Sequence, residues 1–554
     1  MNDRIPFLVG DDPGLATWFD VPDPATLDAD LVQALGAVQP PAIPRAGAVV
    51  ARGHAVPATS VPGFRPGPIV RLARVAEVDG GARSMATYAA VADGAQGIVM
   101  SIEASDVADP AALDEAMAFD PRATAWVVEL GCSVSPQAAL GAIRAVGDRR
   151  GQASLRPWAV RCDPWVASLA NDGALDAASP PDETLSALAD VITTSAVPVW
   201  TADARGVDGR GAGTVARLAY VLASLSATAA ALGDAGVDVA AASGVVVVWP
   251  TGLLLLEEVA ALRALRLGWA GLAAAWGAPS LPLYVNATTS TTWLTQEDAA
   301  NNTLRETLAV AAAMLGGADT VEVSEPGAGF DAARRLAVTG PAVLAWEARL
   351  DRLGDVGAGA ATVEARTDAL LQAAWALAAS WDAAGGLSAD AVRRAVVGAC
   401  AEDREAAERD VRSRRQPIVG VSQSPAPSAG SPSEGAGWRR SEAWAGARRR
   451  LASAGVAIRP SFIGAAPPWR AEALAGFGAL GLPSGPQTIA LLLVGTETPA
   501  EVVTAAVVAA RDAGARGVVV ATEQRETFGA DARWSPGDDV VEAVERALGP
   551  SEEA

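Results

Sequence analysis

The sequence contains no lysine; all 43 of its basic residues are arginine. That excludes a Schiff-base nucleophile and the lysine of a phosphate-binding P-loop. With so much alanine beside it, the absence reads as the coding bias of a high-GC genome. Histidine occurs once, at His54 in an early loop-like stretch, which leaves no Ser/His/Asp triad, multi-histidine metal site or histidine acid/base pair. Cys132, Cys162 and Cys400 are odd in number and far apart, the pattern of reduced thiols in a cytoplasmic protein rather than of a disulfide framework or zinc site. The formal net charge of -21 speaks against nucleic acid and anionic membrane surfaces as partners. The longest apolar stretches are broken by Glu, Arg and Gly, so no membrane span is expected. The opening MNDRIPFLVGDDPG lacks the apolar run of a signal peptide.

What is present is core-forming material. Half of the 554 residues are hydrophobic, enough for two or three domains, and Trp outnumbers Tyr by 16 to 3. Residues 1–65 are rich in Pro, Ala and Asp and read as an N-terminal arm, with a helix at Pro24–Leu35 capped by Asp23. Beyond them, short β-branched runs alternate with helix-period segments. The predicted strands are Ile69–Ala73, Gly97–Ile102, Ala125–Leu130, Trp158–Cys162, Val197–Asp203, Gly244–Trp249, Leu281–Asn286 and Thr320–Ser324. Eight strands, each followed by a helix, over about 260 residues predict an α/β fold, a (β/α)8 TIM barrel, with an open doubly wound sheet as the alternative. Helices at Asp331–Leu353, Thr362–Ala384 and Ala389–Arg415 form a helical annex, so the barrel domain covers residues 66–421. The segment SQSPAPSAGSPSEGAG, residues 422–437, is a Pro/Ser/Gly linker. Residues 438–554 read as a small flavodoxin-like α/β domain of three or four strands.

Barrel enzymes carry their chemistry at the carboxyl ends of the strands, which directs attention to VPVWTADARGVDGRGAG, residues 197–213. This strand-and-loop offers Asp203, Arg205, Asp208 and Arg210. Carboxylates stand at other strand ends too: Glu103, Glu129, Asp163 and Glu322. A pair of them could perform glycosidase-type acid/base work or hold a cation, or all could simply cap helices. Thr288–Thr292 could donate hydroxyls to a ligand or cap a helix. The glycines of Gly206–Gly213 and Gly316–Gly317 do not form a dinucleotide-binding fingerprint.

Several stretches resemble a known family: ARSMATYAAVADGAQGIVMSI, then Asp203–Leu218 followed by AYVLASLSATAAALGDAGVDV, then WLTQEDAANNTLRETLAVAAAMLGGADTVEV, and the pre-linker RRQPIVGV at Arg414–Val421. Together they resemble the adenosylcobalamin-dependent acyl-CoA mutases, above all the small β-type subunits of heterodimeric methylmalonyl-CoA mutases. The resemblance implies a barrel through which coenzyme A threads in the catalytic subunit, and a flavodoxin-like domain holding cobalamin. It also implies a Tyr-His pair just after strand five. A gapless count places Arg205 and Gly206 at those positions; a two-residue slip places Val207 and Asp208 there. The family's cobalt-ligating histidine has no counterpart, since no histidine follows His54.

The resemblance therefore implies a degenerate former substrate site at Arg205 and Gly206, a degenerate cobalamin-binding-like domain, and no cofactor or metal on this chain. The expected role is that of a non-catalytic subunit of a methylmalonyl-CoA mutase. The catalytic large subunit would be its heterodimer partner, binding adenosylcobalamin in the cytoplasm. Two alternatives stand beside it. One is an active subunit of a related acyl-CoA mutase with cobalamin supplied by another chain; the other is a barrel hydrolase or metal enzyme built on the rim carboxylates.

Overall fold

The computed structural model describes residues 69–75, 80–117, 119, 125–130, 134–152, 157–169, 182–324, 333–425, 438–464, 467–480, 487–495 and 497–548. The arm of residues 1–65 with its Pro24–Leu35 helix, His54, Cys132 and most of the linker lie outside them.

Eight parallel strands form the larger unit: β1 (Val70–Val75), β2 (Gly97–Ile102), β3 (Ala125–Leu130), β4 (Ala159–Arg161), β5 (Trp200–Asp203), β6 (Val245–Thr251), β7 (Leu283–Thr289) and β8 (Thr320–Glu322). Their order is β4-β3-β2-β1-β8-β7-β6-β5, so β1 and β8, the first and last strands in the chain, are paired. The remaining seam, β4 to β5, is held by Val160 N–H donating to Pro198 O (2.9 Å) and Thr201 N–H donating to Cys162 O (3.2 Å). The sheet is thus the α/β barrel expected from the eight-fold repeat. β5 is shorter than the run from Val197, because Pro198 has no N–H to contribute to a ladder.

The strands' outward faces, such as Ile98, Met100, Val128, Val245 and Val247, join one large core with the surrounding helices. The helix Thr214–Asp234, interrupted near its start by Arg217, is long and apolar enough by length and composition to cross a membrane, with a mean hydropathy of 1.6, yet 72% of that stretch is buried. The annex helix Ala361–Ala383 covers the side that the barrel leaves open, so the helix is apolar on nearly every face. The second annex helix, Asp390–Arg412, runs toward the C-terminal unit, and Val411, Ile418 and Val421 pack into that unit's core.

The C-terminal unit is a parallel sheet of β9 (Val456–Ile463), β10 (Gln487–Val494), β11 (Gly517–Ala521) and β12 (Ala532–Trp534), in the order β12-β11-β10-β9. Helices Glu442–Ser453, Arg470–Leu480 and Val540–Leu548 cover one face and Ala500–Asp512 the other. The strand β12 and the helix Arg470–Leu480 are elements that the sequence pattern did not single out. β12 is three residues long, and the helix carries five small residues in its apolar run ALAGFGAL, so neither has a clear period.

Candidate functional site

Alternation of period two aims every second strand residue into the barrel. Low in the interior these residues are apolar. Leu72, Val99 and Val127 form one buried cluster and Ala159, Val246 and Val248 another, with the rings of Trp158 and Tyr284 edge-to-face at 5.2 Å. Further toward the carboxyl ends the same faces carry Arg74 on β1, Glu129 on β3, Arg161 on β4, Asp203 on β5, Asn286 on β7 and Glu322 on β8. A layer that is ordinarily aliphatic in such barrels is ionic here.

These groups bond to one another. Glu129 accepts from Arg74 Nη2 (2.7 Å), Arg161 Nη1 (3.0 Å) and Arg205 Nη2 (3.1 Å). Glu322 accepts from Arg74 Nε (2.5 Å) and Arg161 Nη2 (2.6 Å), and Arg161 also donates to Asn286 Oδ1. Arg205, in the single helical turn Arg205–Asp208 just after β5, reaches back to Asp203 with Nε (3.0 Å) and Nη2 (2.5 Å). Three guanidiniums thus meet three carboxylates and cancel. Burial alone would raise the Glu129 and Glu322 carboxyls, but the arginines outweigh it. Glu129 is held well below the usual carboxylate range by Arg205, Arg74 and Arg161, and Glu322 at about 2 by Arg74, Arg161 and Arg205. Burial likewise opposes the charge on Arg205, and Asp203 and Glu129 overcome it, raising the guanidinium well above its ordinary value.

Behind this layer Asp163 accepts from Asp203 N–H (2.7 Å), Trp165 N–H (2.8 Å) and the Tyr220 hydroxyl (3.1 Å). Burial pushes its carboxyl up to about 7 against the lowering effect of the two backbone donors. Asp208 accepts from Ser290 Oγ (2.6 Å) and is pushed up to about 6 by burial, with Arg217 and Ser290 opposing. Glu258 accepts from Arg217 Nη2, Trp249 Nε1 and Gly252 N–H, each at 2.9 Å.

The raised Asp163 carboxyl has a consequence for stability. Its folded-state value of about 7 exceeds the unfolded value of about 3.9, so the folded state binds the proton more tightly. The contribution is full below pH ~4 and is lost as pH rises through 7. Glu129 and Glu322, being depressed, act oppositely: their contribution is present above pH ~4.3 and is lost as pH falls through their folded values. The three groups together therefore favour mildly acidic pH. Asp163→Asn should flatten the decline of the urea midpoint between pH 5 and 8, leaving the part due to Asp208; an unchanged slope would refute the assignment.

Of the five strand-end carboxylates expected at the rim, Glu129, Asp203 and Glu322 come together and Asp163 fixes the backbone of Asp203. Glu103 does not join them: it begins the helix Ala104–Ala108, its N–H donating to Asp106 Oδ2 (2.8 Å). Thr288–Thr292 serves in both anticipated ways. Thr288–Thr291 line a cavity of ≈ 340 Å³ together with Arg74, Arg205, Asp208 and Glu322, and Ser290 caps the short turn Thr291–Trp293. Arg74 and Arg161 were missed. Their only signal is position, two residues beyond the inward-facing Leu72 and Ala159.

The Glu129–Glu322 pair is poor in acid/base chemistry. A glycosidase-type pair needs one protonated and one ionised carboxyl, whereas shared arginines keep Glu129 and Glu322 both ionised. Among the described residues, no group of three or more His, Cys, Asp or Glu could hold a metal ion. Arg205 is engaged on both sides. Gly206 has no room for a side chain, because a Cβ there would lie 2.6 Å from Val166 Cγ2.

The mouth is also strapped. After the linker, Trp438 N–H donates to Gly209 O (3.0 Å) and its indole N–H to Glu408 Oε1 (2.7 Å). Arg440 N–H donates to Thr292 O (3.0 Å), and its guanidinium lies 4.1 Å from the Trp293 ring centroid. Replacing Trp438 with Ala should expose the linker end to protease several-fold faster while leaving the barrel's far-ultraviolet signal unchanged; an unaltered cleavage rate would show that the strap is not held there.

At the carboxyl ends of the C-terminal sheet, where such sheets bind ligands, polar groups are spent on one another. Arg533 Nη1 donates to Ser535 Oγ (2.5 Å) and Gln524 O (3.0 Å), Ser535 Oγ to Thr522 O (2.6 Å), and Gln524 Nε2 to Thr498 O (3.0 Å). Gly464, at φ +76°, is so close to Thr498 that a Cβ would lie 2.5 Å from its Oγ1. No histidine beyond His54 is available to this unit as a ligand.

The methylmalonyl-CoA mutase family profile matches residues 174–435. The methylmalonyl-CoA mutase small subunit of Streptomyces virginiae is 37% identical over 177 residues, 30% of this chain and 28% of that protein. The small subunit of Propionibacterium freudenreichii subsp. shermanii is 30% identical over 236 residues, 41% of this chain and 36% of that protein. The methylmalonyl-CoA mutase large subunit of Streptomyces virginiae is 32% identical over 213 residues, 37% of this chain and 29% of that protein. The matches span 28%, 36% and 29% of these relatives' lengths, well under two thirds of each.

Proposed function

The chain, matched over residues 174–435, is a member of the methylmalonyl-CoA mutase family, and from that premise we propose that it is the non-catalytic, structural subunit of a heterodimeric methylmalonyl-CoA mutase. The large subunit would carry adenosylcobalamin and interconvert (R)-methylmalonyl-CoA and succinyl-CoA. This chain would bind no cofactor and would support the partner's fold by burying its apolar surface. The free buried thiols of Cys162 and Cys400 accord with a cytoplasmic location.

One observation carries the reading. Where the family resemblance calls for a tyrosine, the Arg205 guanidinium is held by Glu129 and Asp203; where it calls for a histidine, Gly206 is closed off by Val166. The ionic layer beneath neutralises itself, leaving no uncompensated cation to attract an anionic thioester. The same engagement of Arg205 counts against an active acyl-CoA mutase subunit.

The test is co-expression of the full chain with a methylmalonyl-CoA mutase large subunit encoded in the same genome. The two should co-elute in equal amounts and turn over together. The chain alone should keep no corrinoid absorbance after gel filtration and give no heat with a panel of acyl-CoAs. A corrinoid spectrum on the pure chain, or elution apart from the large subunit, would overturn the proposal. Asp203→Asn with Asp208→Asn should leave the complex's kcat within about twofold of wild type, whereas a hydrolase built on these acids would be abolished.

A further inference from the structure

Three neighbouring barrel helices, Gly80–Ala92, Ala300–Leu315 and Ala333–Trp346, follow β1, β7 and β8 and pack side by side. The first has one charged residue, Arg83, and the second has two, Arg305 and Glu306; all three are buried. Their outward faces therefore carry apolar groups instead: Met85 (70% exposed) and Tyr88 (65%) on one, Leu304 (64%) and Leu308 on the next. The third helix adds Val343 and Trp346 (62%) at its carboxyl end. The helix Pro136–Arg149, elsewhere on the barrel, presents Arg144, Asp148 and Arg149 to solvent, as a solvated helix should. Trp346 is already oriented, since the buried Arg71 guanidinium lies 4.4 Å from its ring centroid, leaving the indole splayed on the surface.

Helices of this length run about 20 Å and stand about 10 Å apart, so the uncharged area is on the order of 600 Å². That is most of the ~800 Å² that one partner gives to a stable interface, and it stands at the upper end of the roughly 300–600 Å² of the largest patch on a typical monomer, a size that is often functional. A second copy of this chain would bring the same net charge of -21 and the same exposed Arg334 and Arg335 at the rim of the patch, and like charges would meet across a two-fold axis. A different chain with an apolar helical face and an acidic margin fits better.

We infer that this three-helix flank, centred on Met85, Tyr88, Leu304, Leu308, Val343 and Trp346, is the surface that docks the large subunit. The inference rests on the proposed function and deepens it by assigning the contact. It is tested in the co-expressed complex with Leu304→Glu/Leu308→Glu and, separately, Met85→Glu/Tyr88→Glu, compared with Val508→Glu, an exposed apolar position on the helix Ala500–Asp512 of the C-terminal sheet. The positions are surface-exposed, so circular dichroism and the urea midpoint of each isolated chain should match wild type. Each double variant should weaken association with the large subunit by roughly a hundredfold, and Val508→Glu should not change it. Wild-type association that survives both double variants would overturn the assignment while sparing the proposed function. Dissociation of a homodimer of this chain by the same variants would likewise overturn it in favour of a second copy. Absence of any complex with the wild-type chain would instead sink the proposed function itself.

Discussion

Arg161→Met is expected to destabilise the chain by about 3–5 kcal/mol, the scale set by removing one partner from a buried ion pair. The Arg161 side chain is 2% exposed and donates to Glu129, Glu322 and Asn286. Its loss leaves Glu322, equally buried, with Arg74 alone, and leaves the barrel's ionic layer with one excess negative charge. The cost lies in the uncompensated carboxylate and not in the pair, because taking both ions out of water offsets most of their attraction. Removing the partner as well should therefore recover most of the loss. In Arg161→Met/Glu322→Met the remaining Arg74 and Arg205 still balance Glu129 and Asp203, and two apolar side chains fill the space. Urea unfolding of the single and double variants measures this. A single variant within about 1 kcal/mol of wild type, or a double variant worse than the single, would show that the network is not what holds this layer.

The second large effect is a failed restoration. Installing the family's pair, Arg205→Tyr with Gly206→His, should yield no mutase activity and a less stable chain. Gly206 faces Val166 at a distance no Cβ tolerates, and overpacking of that kind costs roughly 1–3 kcal/mol. Loss of Arg205 strips Glu129 of one guanidinium and Asp203 of an ion-pair partner, adding a penalty of similar order. Relieving the steric part with Val166→Ala should return part of the stability and still no activity, since the cobalt ligand is absent as well. Turnover by the restored chain with added adenosylcobalamin would mean that the site had only been masked. Gly206→His alone as stable as wild type would mean that Val166 yields more readily than its packing implies.

The eight strands were legible because a parallel barrel strand is a short β-branched run between turn signals, and each run is local. Gly97–Ile102 and Ala125–Leu130 have the same bounds in sequence pattern and structure. That Arg205 and Gly206 stand where the resemblance calls for a tyrosine and a histidine is read from residue types alone and needs no coordinates. What stayed hidden was the meaning of the rim charges. Glu129 and Glu322 read equally well as catalytic acids or as helix caps until Arg74 and Arg161 were seen between them. The reason the helix Thr214–Asp234 is apolar on nearly every face stayed hidden too, because its second cover, the annex helix Ala361–Ala383, lies well over a hundred residues away.

The sequence by itself determined the class of fold, the resemblance to the methylmalonyl-CoA mutases and the scarcity of histidine and lysine for chemistry, all of which are set by residue types and short-range periodicity. Only the tertiary structure decided what the mouth of the barrel contains. Arg74 and Glu322 stand 248 residues apart and Arg161 and Glu322 161 apart, and they meet because β8 pairs with β1 and closes the sheet. Alternation says that a side chain points inward; which charge it meets there depends on register and closure, and these are properties of the whole barrel.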